Sequence, residues 1–400
     1  MPAAMPLPAL SMRARLLDVL QGRKPDTHPF ITRLEAWYKS HLRSGTLPER
    51  FAGMSLNEVH RAVGVGQLKF MNAYGLKLRG VEVIATFNGQ PHYREWEPVI
   101  ENFPGMWDFV PTDQAGKTII ELRTSVGTLH LQHEMLPEGV FNGTDPYLKE
   151  HLIKSEADYP VVEYILERAE FTPLFDRIIA EQASLGEIAF VVPLLQRIPF
   201  QQMLLEYLGE INLFYALHDH PRRVERLLSL LDEQMQEFLH HLADFAWVYV
   251  EFPDNLHSLM TNPKLFSKYC LPALQRYTSL LHKQGKKVGS HTDGDIKPLL
   301  GLLKESGLDV CESFSPSPLT TCTFREAWDA WGGQPIIWGG IPSPILEEGV
   351  SETDYRRYVQ QLLDIVGSGT VIFGVVDLFM RHNSIERVEY FAWKLSNHPI

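Results

Sequence analysis

Five times in the second half of the chain a short apolar run, rich in β-branched or aromatic residues, gives way to a segment of helical period. "WVYVEF" (247–252) precedes "NPKLFSKYCLPALQRYTSLLHKQG", and "KVGSH" (287–291) precedes "IKPLLGLLKESG". "LDVCESF" (308–314), "PIIWGG" (335–340) and "TVIFGVV" (370–376) are followed in the same way, the last by "SIERVEYFAWKL". Strands apolar on both faces and separated by helices imply a parallel sheet covered by helices. "EIAFVVPLL" (187–195) and "HPFITRLEAWY" (28–38) are two further candidate strands. Seven of eight units make an α/β fold of the (β/α)₈ barrel type, a TIM barrel, the leading architecture. A doubly wound open sheet is the alternative, weakened because no GxGxxG or GxxxxGK[ST] follows a strand. Gly285, Gly307 and Gly367 stand where helices would close, and "SETD" at 351–354 where one would open.

Residues 76–136 have a different period. "GVEVIATFNGQPHYREW" alternates about Asn88-Gly89, and "KTIIELRTSVGTLHLQHE" alternates again, which predicts antiparallel hairpins inserted at the barrel mouth. A single decorated domain over 1–400, with N-terminal helical segments and 1–11 as a disordered leader, is the simplest organisation. The net charge of -12 argues against nucleic-acid or anionic-membrane partners. No uncharged run has the length to span a bilayer, and Cys270, Cys311 and Cys322 form no CxxC pair, so a soluble protein of the cytoplasm is expected.

A barrel of this kind carries its active site at the carboxyl ends of its strands. The residues there are Asp254 and Asn255, His291 and Asp293, Glu312, Trp338, and Asp377. Each acid alone is ordinary turn or cap chemistry. Four successive strand ends with acids or an imidazole would converge on the axis. His291, Asp293 and Glu312 are candidate ligands of a divalent metal, with zinc or a harder ion suited to such donors. His291, Asp254 and Asp377 are candidate catalytic groups. A metal-free site, in which crowded carboxylates raise one another's pKa, is the alternative. Asn255, Trp338, Glu35 and Tyr38 could hold a substrate, although Trp338 could equally fill the lumen and Glu35 and Tyr38 could belong to an amphipathic helix. Cys311 should face away from Glu312 by strand alternation, and the "HDH" (218–220) and "HH" (240–241) runs read as surface or core histidines.

These blocks also resemble the uroporphyrinogen decarboxylase superfamily, and within it the cobalamin-linked methyltransferases. The resemblance runs from "SMRARLLDVLQGRKPDTHPF" to "GVVDLFMRHNSIERVEYF" and is most specific in "KQGKKVGSHTDGDIKPLLGLLKESGLDVCESFSPSP" and "EAWDAWGGQPIIWGGIP". It implies a (β/α)₈ barrel. The arginine-rich, glycine-containing motif with which the decarboxylase itself grips carboxylates has no counterpart in "ITRLEAWYKSHLRSG", although Arg33 and Arg43 are near. The methyltransferases hold zinc through a His-x-Cys pair and a later cysteine. His291 matches the histidine, Asp293 stands at the first cysteine, and "GVVDLF" has Asp377 and no cysteine. An oxygen-rich zinc site is compatible with methyltransferases that demethylate small O- or N-methyl donors. There a separate corrinoid protein takes the methyl group, and since this chain has no DxHxxG motif, cobalamin would arrive on that partner. A metal-free decarboxylase-like lyase and an inactive homologue that binds a small molecule are the alternatives, and a homodimer is open.

Overall fold

The computed structural model describes residues 10–376 and 378–397. Eight parallel strands follow one another in chain order: β1 (Ile31–Thr32), β2 (Gly66–Asn72), β3 (Ala189–Leu194), β4 (Tyr249–Phe252), β5 (Lys287–His291), β6 (Val310–Phe314), β7 (Ile336–Pro342) and β8 (Val371–Val376). The sheet closes on itself where Phe30 bridges Phe373 in parallel and the Phe373 amide donates to the Pro29 carbonyl at 2.9 Å. The barrel and its helices agree with the expectation from the strand–helix rhythm. Polar starts set the helices that follow. Thr323 forms a capping box with Glu326 at the helix Phe324–Trp331, and the Ser351 hydroxyl accepts from the Asp354 amide at 3.1 Å.

Two elements depart from expectation. Over 28–38 only Ile31–Thr32 is strand, because "EAWYKSHLRS" has helical period and forms the helix Glu35–Ser44. The eighth strand is β2, whose helix-facing positions carry Gln67 and Lys69. It therefore lacks the two apolar faces that mark the other strands, and Gln67 accepts from the Asn57 amide of a covering helix at 3.4 Å.

Inward side chains of the barrel make one apolar cluster: Ile31, Leu68, Phe190, Val192, Tyr249, Val310, Ile336, Trp338 and Ile372. Leu16, Val19 and Leu20 of the helix Met12–Leu20 belong to it, so this helix plugs the amino-terminal end. Of the leader expected over 1–11, residues 1–9 lie outside the described residues, while Ser11 caps that helix by accepting from the Ala14 amide at 3.0 Å. Between β2 and β3 stands the hairpin region. Glu82–Phe87 pairs with Gln90–Trp96 about Asn88 and Gly89, both at positive φ, and Gly116–Thr124 pairs with Gly127–Met135. The Asn72 amide at the end of β2 bonds Asn102 at 2.9 Å, which ties this region to the carboxyl end of the barrel. No described helix is long and apolar enough to cross a membrane, and Cys270, Cys311 and Cys322 are buried free thiols.

If the amino-terminal helix seals the lumen, Leu16→Ala should lower unfolding stability by about 2–5 kcal/mol. Urea denaturation followed by tryptophan fluorescence measures it, and a change near zero would show that the lumen closes without the helix.

Candidate metal centre

Strand parity and register build the site. In β4 the inward residues are Tyr249 and Glu251, in β5 Gly289 and His291, and in β6 Val310 and Glu312. Glu251 pairs in register with Gly289, and His291 with Glu312, so three neighbouring strands deliver one glutamate, one imidazole and a second glutamate to the carboxyl end of the lumen. Ligand atoms of these three residues all lie within 4.8 Å of one another. Nδ1 of His291 lies 2.5 Å from Oε2 of Glu312 and 3.9 Å from Oε1 of Glu251, while Nε2 lies 3.6 Å from Oδ2 of Asp293. Glu251 is fully buried and Glu312 nearly so.

Gly289 makes this packing possible. A Cβ there would come within 1.8 Å of the Tyr249 hydroxyl, which occupies that space and donates to Oε2 of Glu251 at 2.8 Å. The other oxygen of Glu251, Oε1, is buried and no N–H or O–H reaches it. Burial, then repulsion from Glu312, pushes the Glu251 carboxyl well above the usual carboxylate range. Burial works against the His291 imidazolium as well, but Glu312 and Asp293 outweigh it and raise its pKa to about 10. Burial also opposes the charge of Asp293, yet the bonds from His291 and Asn255 hold its carboxyl below the ordinary value.

The structure brings His291 and Glu312 together and places Asp293 on the opposite side of the imidazole, its Oδ2 accepting from the Asn255 side-chain amide at 3.0 Å. Asn255 is exposed at the mouth. Asp377 lies outside the described residues. Asp254 does not join the group. Its carboxylate accepts from the Ile198 amide at 2.8 Å and the Ser290 hydroxyl at 2.9 Å, on the helix side of β5, and so clamps three strand ends together. Trp338 is a correction to the substrate-wall reading: it is buried in the lumen cluster, its indole N–H donating to the Ile31 carbonyl at 3.2 Å, and fills the barrel. Tyr38 is turned into the fold, with its hydroxyl on the Met54 carbonyl at 2.6 Å. Glu35 opens its helix at the rim, half-buried, and desolvation raises its pKa against the pull of Arg33, Lys69 and Lys39. Cys311 faces the helices, and His218, His220, His240 and His241 are exposed.

Glu251 is a site residue that is not among the candidates expected from the sequence. The signal was present: in "YVEF" an acid stands two positions after an inward tyrosine, and alternation turns it inward too. The residues fit a divalent cation. One imidazole and two carboxylates suit zinc or a harder ion, and the donorless Oε1 of Glu251 marks the place where positive charge is missing.

Burial raises the pKa of Asp254 from 3.8 to about 6 against the bonds from Ile198 and Ser290. The folded protein then keeps this proton up to about pH 6, whereas the unfolded chain releases it near 3.8. Its contribution to stability is present below pH 3.8 and lost as pH rises to 6. Chelator-treated wild type should lose up to about 3 kcal/mol relative to Asp254→Asn across that window, read from denaturation midpoints at each pH. A difference independent of pH would contradict the assignment.

Residues 209–377 match the family model of uroporphyrinogen decarboxylase (URO-D). Among curated proteins none matches the sequence. A methyltransferase from Methanosarcina mazei shares the fold over 97% of this chain and 99% of its own, with TM-score 0.55 and 11% identity. A ribulose-1,5-bisphosphate carboxylase/oxygenase from Pyrococcus horikoshii covers 59% of this chain and 46% of its own at TM-score 0.30 and 9% identity. The pneumococcal virulence factor StrH covers 96% and 85% at TM-score 0.35 and 10% identity. The likeness to uroporphyrinogen decarboxylase expected from the sequence is shown over residues 209–377, and the barrel fold is shared with the Methanosarcina methyltransferase over nearly the whole chain.

Proposed function

We propose that this chain is a methyltransferase of the demethylating kind, which moves a methyl group from a small O- or N-methyl donor to cobalamin held by a separate corrinoid protein. A divalent cation, assigned as zinc, would sit between Glu251, His291 and Glu312. The observation that carries the reading is the buried Oε1 of Glu251, which no donor reaches, beside a second carboxylate and an imidazole at the active end of the barrel. The whole-length likeness in fold to the Methanosarcina methyltransferase supports the reaction class. An action in the cytoplasm is part of this reading and suits three free thiols.

In the transfer, the bond from the methyl carbon to its oxygen or nitrogen breaks. The bonding pair would stay on the departing heteroatom, and the methyl carbon would bond to the reduced corrinoid that the partner protein holds. A bound cation supplies Lewis acidity toward the departing heteroatom. The chain's own residues do the rest. Glu251 and Glu312 would hold the cation from the barrel wall, while Tyr249 fixes Oε2 of Glu251. Phe70, whose ring lies 6.3 Å from the His291 ring, shields the imidazole from water on one side. Asn255 and Asp293 face the open mouth, where the donor must enter. A metal-free lyase is the second reading, favoured by the family match over 209–377.

Protein purified without chelators should contain about one zinc per chain by elemental analysis and demethylate a small methyl donor when a reduced corrinoid protein is supplied. His291→Ala and Glu251→Gln should each lower turnover at least about 100-fold while the circular dichroism spectrum stays unchanged. Folded protein that neither retains nor takes up a divalent cation would sink the reading. Loss of CO₂ from a carboxylated pyrrole without cation or corrinoid would establish the lyase instead.

A further inference from the structure

His291 has two ring nitrogens, and the structure gives them different company. Nδ1 faces Glu312 and Glu251, the place where the cation would be bound. Nε2 faces Asp293 at 3.6 Å. Asp293 is in turn held by the side-chain amide of Asn255 at 3.0 Å, and Oδ1 of Asn255 accepts from Nη1 of Arg197 at 2.6 Å. Nε of Arg197 donates to Glu206 at 3.0 Å. Asn255 adopts φ +50°, a left-handed conformation that costs a non-glycine residue free energy. That conformation is what turns its amide toward Asp293 and its oxygen toward Arg197.

We propose that Arg197, Asn255 and Asp293 form a buttress for a metal-ligating histidine: Asp293 accepts the Nε2–H of His291, so that Nδ1 is left to bind the cation. Asp293 is then not a ligand, although its place in the sequence suggests one. A histidine that binds a metal commonly donates its other N–H to a carboxylate, which fixes the tautomer and the ring orientation. Here the carboxylate is itself fixed twice over, by an amide and, through it, by a guanidinium anchored on Glu206. Asn255 and Arg197 are positioning residues that act through Asp293. The proposal rests on the metal-binding part of the reading above and needs no particular methyl donor or acceptor.

Cobalt titration of the whole chain tests it, because Co²⁺ occupies sites of this kind and its visible absorption reports ligand number and geometry. Asp293→Asn should raise the Co²⁺ dissociation constant about 10- to 100-fold and shift the absorption bands without the change in intensity that Glu251→Gln causes. Asn255→Gly keeps the left-handed backbone and removes only the bridging amide. It should weaken Co²⁺ binding less than Asp293→Asn and shift the bands in the same direction. Wild-type affinity and spectrum in both variants would overturn the buttress. So would an Asp293→Asn spectrum that matches Glu251→Gln, since Asp293 would then be a ligand, and so would a wild-type protein that takes up no Co²⁺. A protein that binds Co²⁺ as described yet transfers no methyl group would end the methyltransferase reading and leave this one standing.

Discussion

Two glutamates enclosed in one barrel lumen cannot both be ionised without positive charge between them. Glu251 and Glu312 arise from strands β4 and β6, with β5 between, and among the described residues the cationic partner that pairs with them is His291. One imidazolium balances one carboxylate. The second must keep a proton or meet a cation, and the donorless Oε1 of Glu251 is where that choice is made. A proton and a divalent ion compete for the same oxygen, so the acid strength of Glu251 and the affinity of the site are two views of one interaction.

The rest of the lumen is shaped to keep that interaction dry. The plug helix and the inward aliphatic residues shut the amino-terminal end. Above them the bulk of Tyr249 and Trp338 is admitted by glycines on neighbouring strands. Tyr249 stands over Gly289, and the Trp338 indole lies 3.5 Å from where a Cβ of Gly374 would be. Each glycine trades a side chain on one strand for a large ring from another, which brings the tyrosine hydroxyl to Glu251. Strain gathers at the mouth instead. Asn255 after β4 and Ser313 in β6 are non-glycine residues at positive φ, and β6 slips register against β7 between Cys311 and Phe314. Both devices re-aim the chain directly beside the acidic group.

Much of this was legible in the sequence because parallel strands buried on both faces leave a strong signal, and six of the eight are such strands. β2 was not, since the helix-facing Gln67 and Lys69 break the apolar pattern. β1 was overextended, since a two-residue strand runs straight into a helix. At the site, His291 closes its strand and Glu312 interrupts a mostly apolar run, and both were visible. Asp254 was visible too, but a residue beyond the strand end has no fixed parity, and its carboxylate turned to Ile198 and Ser290. Glu251 was hidden because a single acid among the apolar residues of "WVYVEF" does not by itself mark which face of the strand it occupies. The Arg197–Asn255–Asp293 chain could not be read at all, because it joins residues 58 and 38 positions apart through one left-handed asparagine.

Parity also decides what kind of metal chemistry the barrel can support. Cys311 is one residue from Glu312, yet alternation turns its thiol into the helices, where burial alone pushes its pKa up. A slip of one residue in β6 would exchange carboxylate for thiolate in the lumen. As built, the three donors nearest one another are two carboxylates and an imidazole, all from the barrel wall, and the residue on the loop after β5 serves the far side of the imidazole. Oxygen donors leave a bound cation a stronger Lewis acid than thiolates do, because they pass it less charge. A cation held by such a wall-borne site would be suited to polarising an oxygen or nitrogen atom presented to it from the mouth.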